Sequence, residues 1–138
     1  MSSSLFYRIS AVFLVLFAIG HHLGFRQTKG MTGADSVVSF MKSVHFTVQG
    51  FSRDYYDFFL GFGFFVTAFL LFSALLSWQL GGLSREVLAQ IPLATWGLAA
   101  CFLAVTILSW TYFFMAPGIF ATLVTTCLIA AAFLANKR

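Results

Sequence analysis

The chain has 138 residues, 60% of them hydrophobic and 9% charged, against roughly 45–50% apolar and about 25% charged in an ordinary soluble domain. That balance excludes a soluble globular enzyme and makes lipid the solvent. The formal charge of +4 comes from eight Lys and Arg residues set singly between apolar segments, which argues against a nucleic-acid-binding patch.

A hydrocarbon core about 30 Å thick takes on the order of 20 helical residues to cross. The chain therefore accommodates four spans as a single integral membrane domain, expected at about residues 5–25, 54–80, 91–114 and 117–136. In the first, Arg8 ahead of an apolar stretch imitates a secretory signal. Gly20-His21-His22-Leu23-Gly24 is not a small-x-small cleavage site, however, so an uncleaved span is expected. The cluster of Arg26, Gln27, Thr28, Lys29 and Gly30 stops it.

The connection that follows is the one long loop. Across residues 34–46 the apolar Val37, Val38, Phe40, Met41 and Val44 gather on one side, away from Asp35, Ser36, Ser39, Lys42 and Ser43. This pattern predicts a short amphipathic helix in the membrane interface, with an irregular loop as the alternative. Span two opens with Ser52 as the expected N-cap and Asp54 and Asp57 at the positive end of the helix dipole, and Gly81-Gly82 stops it. Residues 83–90 form a short link. Span three starts beside Pro92, a tolerated first-turn position. Met115-Ala116-Pro117-Gly118 then predicts a tight reversal into span four.

The expected fold is thus all-α, an antiparallel four-transmembrane-helix bundle with a short interfacial helix between spans one and two, and with both termini on one side. The basic residues balance across the two sides, Arg8, Arg85, Lys137 and Arg138 against Arg26, Lys29, Lys42 and Arg53. Lys137 and Arg138 directly abut their span and Arg53 has acids beside it. On that basis the termini are expected in the cytoplasm. No internal repeat aligns the two halves.

Threading the hairpins brings most of the unusual residues to the end away from the termini. They are His21, His22, Arg53, Asp54, Tyr55, Tyr56, Asp57, Trp110, Tyr112 and Pro117, with His45 in the adjoining loop. A carboxylate one turn inside span two is costly against lipid, so Asp57 is expected to face the bundle and meet Arg53, His21 or both. Three readings stay open: a hydrogen-bonded clamp fixing the hairpin register, a functional pocket of the same residues, or exposure to headgroups. Adjacent histidines diverge by about 100° on a helix, and no zinc signature is present, so no metal is expected. Nor is haem, since no second deep histidine completes a bis-His site.

Gly20 and Gly24 form a small-x-x-x-small pair, and Gly61 and Gly63 a second small stretch. Both predict close packing of spans one and two. Thr106, Ser109, Thr122, Thr125 and Thr126 can bond to their own carbonyls or across helices. Cys101 and Cys127 read as small hydrophobes, and Trp78, Trp110 and all four tyrosines sit at span ends as interfacial belts require, with Trp96 slightly inside.

Several stretches together resemble a known group. They are Gly20-His21 with Gly24-Phe25, Arg53 through Tyr56-Asp57-Phe58, Gly61-Phe62-Gly63, and Ser109-Trp110 through Tyr112-Phe113-Phe114 before Ala116-Pro117. The pattern is similar to that of small, uncharacterised bacterial four-helix integral membrane proteins and covers nearly the whole chain, with His22 a departure from it. The resemblance implies a bacterial inner-membrane location and no particular chemistry. A looser similarity, in architecture, is to sterol isomerase and sigma-receptor-like proteins.

The expected function is that of a protein in contact with membrane lipid that binds a small lipophilic ligand or serves as accessory subunit of a larger membrane complex. The alternative is an enzyme on a lipid or isoprenoid-like substrate with Asp57 and His21 as acid and base. An oligomeric transporter or channel comes third, because the spans carry no polar stripe through both leaflets.

Overall fold

The computed structural model describes residues 2–27 and 33–136. The expectations for Thr28, Lys29, Gly30, Lys137 and Arg138 lie outside the described residues. The helices are α1 (Ser3–Gly24), α2 (Ala34–Ser43), α3 (Tyr55–Leu80), α4 (Arg85–Gln90), α5 (Pro92–Tyr112) and α6 (Met115–Asn136), with strands β1 (His45–Val48) and β2 (Phe51–Asp54) between α2 and α3. α1, α3, α5 and α6 are each long and apolar enough to cross a bilayer. The fold is a four-transmembrane-helix bundle with a short helix between its first and second spans, as expected, and is that of a multi-pass membrane protein.

Local chemistry sets each boundary. Ser2 caps α1 by accepting from the Leu5 N–H, and Ser84 caps α4 by accepting from Val87. Hydrogen bonds from its own backbone and from Ser84 hold the Glu86 carboxyl below its usual range. Pro92 opens α5 at the position where a missing N–H costs nothing.

Three expectations about the connections are corrected. The helix after span one ends at Ser43, and the chain then turns into an antiparallel hairpin pairing His45 with Asp54 and Val48 with Phe51. Gln49 and Gly50 make its two-residue turn, both at positive φ, 53° and 83°, which matches the right-handed twist of the strands. Ser52 therefore lies in β2 and caps nothing; Asp54 is the N-cap of α3. The link after span two contains α4, and the last reversal is made by Phe113 and Phe114, with Pro117 inside the first turn of α6, where its missing N–H would have had no helical partner.

α1 packs against both α3 and α6, and α6 against α5, so the helices follow one another around the bundle in the order α3, α1, α6, α5. α3 meets α5 through the stacked rings of Phe69 and Phe102, centroids 5.7 Å apart. Toward the end that holds the termini Tyr7, Leu80, Leu88 and Leu128 are buried, and Leu14 and Phe102 are buried midway along the bundle. In α3 the buried residues begin only at Leu70. The preceding half carries a seam of exposed aromatic rings at alternating four- and three-residue spacing, Phe58, Phe62, Phe65 and Phe69, continued by Phe72.

Candidate functional site

The residues singled out from the sequence fall into three separate groups. The first joins the end of α1 to α3. His21 Nε2 lies 3.0 Å from the carbonyl oxygen of Gly63, to which it donates, and Thr67 Oγ1 donates to the same oxygen at 3.1 Å. The missing side chain of Gly63 lets the end of α1 approach α3 here: a Cβ there would overlap the ring of Phe25. Phe25 stacks on His21 at 5.1 Å and meets Phe64 edge-on at 5.5 Å. Arg26 Nη1 donates to His22 Nε2 at 3.2 Å, which puts the proton of a neutral imidazole on Nδ1. That nitrogen is buried and has no hydrogen-bond partner among the described residues.

The second group is the start of α3, and here the expectation for Asp57 is overturned. Asp57 is exposed and is the third residue of the helix, where it completes a capping box. Its N–H donates to Asp54 Oδ1 at 2.7 Å, and its Oδ2 accepts from the Asp54 N–H at 3.3 Å. The physical reason is the position of the helix start: with Tyr55 as the first residue, Asp57 faces two of the four N–H groups left unpaired at a helix N-terminus. Such a cap is worth about 0.5–2 kcal/mol, so the carboxylate is spoken for without Arg53 or His21. Arg53 turns away, donating to the Ser52 carbonyl at 2.7 Å and lying over Phe51. Tyr56 takes Lys42 of α2 over its ring, 4.6 Å from the centroid.

The third group belongs to the α5–α6 reversal. Trp110 Nε1 donates to Thr122 Oγ1 at 3.0 Å, and that hydroxyl donates to the Gly118 carbonyl at 2.7 Å. Thr106 and Thr125 bond across the same pair of helices at 2.8 Å. Thr126 bonds its own helix, to the Thr122 carbonyl. Tyr112 is 74% exposed and joins no group.

His21, His22 and Gly63 are thus brought together, as are Asp54 with Asp57, while Arg53, Trp110 and Tyr112 stand apart from both. Asp57 and His21, the acid–base pair of the enzymatic alternative, have different partners. Among the described residues no three His, Cys, Asp or Glu side chains gather at one point. Gly63 is a close approach, but Gly20, Gly24 and Gly61 have nothing within 4 Å of where a Cβ would stand. The predicted small-x-x-x-small contact of span one is therefore not made among the described residues.

Two features at the opposite end escaped the sequence reading, which placed any site away from the termini. One is a buried hydroxyl cluster: Ser10 and Ser77 lie 2.5 Å apart, and both donate to the Tyr7 carbonyl, at 2.8 and 2.9 Å. Ser4 bonds the Gly81 carbonyl beside them. The other is an open groove of about 620 Å³ between α1 and α3, lined by Ala11, Val12, Val15, Leu16, Leu71, Ala74, Leu75 and Trp78. At its terminal end the Arg8 guanidinium lies 5.0 Å from the centre of the Trp78 ring. A serine inside an apolar run looks self-satisfied, and an Arg–Trp pair spans 70 positions, so neither is visible as a local pattern. Compared with known proteins, the chain matches no family model, no curated protein and no solved structure.

Proposed function

We propose that this is a bacterial inner-membrane protein, with cytoplasmic termini, that binds a lipophilic ligand along the outer face of α1 and α3. The supporting observation is the groove just described: a concavity of about 620 Å³ walled by aliphatic side chains and one indole, the lining expected of a site for an apolar molecule. The bacterial inner-membrane assignment rests on the resemblance of the residues around His21, Asp57 and Trp110 to the small four-helix group. The orientation rests on Lys137 and Arg138 abutting the last span. A phosphatase reporter fused after Arg138 should be inactive and one inserted at Gly33 active; the reverse pattern would refute the orientation.

A second reading, an accessory subunit of a larger membrane complex, is favoured by the exposed aromatic rings of α3, Phe58, Phe62, Phe65 and Phe72. Rings at this spacing line one face of a helix and suit the flank of another.

The ligand reading is tested by extracting lipophilic compounds from protein purified in mild detergent and counting them per chain by mass spectrometry. Wild type should retain about one equivalent. Leu71→Trp, which fills the groove from a position facing outward, should retain little while melting at the wild-type temperature. Equal retention by the two proteins would overturn the ligand reading, and stoichiometric co-isolation of another membrane protein would favour the accessory one.

A further inference from the structure

The terminal end of the α1–α3 groove has a feature that its apolar walls do not explain. Arg8 is exposed, and its guanidinium lies over Trp78 at 5.0 Å. A guanidinium at that distance from an indole is held by cation–π attraction, which leaves its N–H groups available as hydrogen-bond donors. None of those donors has a hydrogen-bond partner among the described residues, whereas Arg26 and Arg53 each donate to a neighbouring group. Val12 lies one turn deeper on the same side of α1, so the apolar lining begins directly below the charge. From Trp78 to Leu71 the groove runs about 10 Å along α3, roughly two-thirds of one leaflet of a core about 30 Å thick.

A cation stacked at the headgroup level above an apolar groove has the chemistry of one class of molecule. We propose that the groove is a glycerophospholipid site, in which Arg8 donates to the phosphodiester oxygens and one acyl chain lies between Val15 and Leu71. The inference rests on the ligand reading above and adds the identity of the ligand. Guanidinium is suited to the task because it offers two parallel N–H groups to two oxygens of one phosphate, and stacking on Trp78 restrains it before the lipid arrives. The indole N–H of Trp78 is a donor at the same depth, as interfacial tryptophans provide.

The test is competition for delipidated full-length protein in detergent, followed by native mass spectrometry, using dioleoyl phosphatidylglycerol, dioleoyl phosphatidylethanolamine and dioleoylglycerol. The first two carry the phosphate and the third has the same chains without it. Wild type should prefer both phospholipids to dioleoylglycerol by about tenfold or more, the discrimination expected of a charge-assisted hydrogen bond. Arg8→Gln should bring all three lipids to the dioleoylglycerol level, and Arg8→Lys should restore part of the preference, since it keeps the charge and loses the fork. Leu71→Trp should weaken all three together. If wild type holds dioleoylglycerol as well as the phospholipids, or Arg8→Gln keeps the preference, the phosphate site is wrong and the lipophilic groove stands. If Leu71→Trp changes nothing, the groove reading falls and the phosphate site falls with it.

Discussion

Phe102→Ala should lower the stability of the detergent-solubilised protein by about 3–5 kcal/mol, the range for emptying a fully buried aromatic position. Phe102 has 0% of its surface exposed and is the α5 residue whose ring stacks on Phe69 of α3. The two helices are outermost in the order α3, α1, α6, α5, so the stack is what closes the ring of four. Its removal takes away the dispersion contacts of a ring that is fully buried within the core cluster and so has no lipid against it. Phe65→Ala is the control. That ring is 72% exposed, and its loss should change stability by no more than about 0.5 kcal/mol. Thermal unfolding followed by circular dichroism separates the two, and comparable losses in both variants would show that α3 and α5 are not joined through Phe102.

The architecture was readable in the sequence because the bilayer imposes it. Four apolar runs of span length, the first stopped at Arg26, the second at Gly81 and the third opened by Pro92, leave little choice of fold. The hairpin was not read, although His45 to Asp54 carries its signal: two four-residue strands about a two-residue turn ending in glycine. Gln49 occupies the position where Asn or Asp would have announced a primed turn, and it adopts the left-handed backbone there all the same. Asp57 was misplaced for a related reason. Setting the N-cap at Ser52 puts Asp57 about a turn inside the span, where an unpaired carboxylate demands a partner; moving the cap to Asp54 makes it an ordinary member of a capping box. A displacement of two residues thus turns an apparent functional acid into a structural one. The long-range features, the Ser77 bond to the Tyr7 carbonyl and the Arg8–Trp78 contact, depend on the relative rotation of α1 and α3 about their axes, which hydropathy does not encode.

Gly118→Ala should destabilise the protein by about 1–3 kcal/mol even though alanine is the better helix former. On propensity alone the change would stabilise α6 by about 1 kcal/mol. Against that, the new methyl would stand 2.7 Å from Cε2 and 2.8 Å from Cδ2 of Trp110, atoms of a fused ring that cannot fold away. The indole has to leave, and with it goes the Nε1 bond to Thr122 that ties α5 to α6 across the reversal. Overpacking and a lost interhelical hydrogen bond act together, so they outweigh the propensity gain. Gly20→Ala supplies the contrast, because nothing lies within 4 Å of its Cβ position and propensity should act alone, leaving stability unchanged or raised by up to about 1 kcal/mol. The mechanism is separable from a general loss of folding by a double-mutant cycle: Gly118→Ala with Trp110→Ala should cost less than the sum of the two single changes, since the clash is absent once the indole is gone. Strict additivity of the two would mean that the indole does not sit on Gly118.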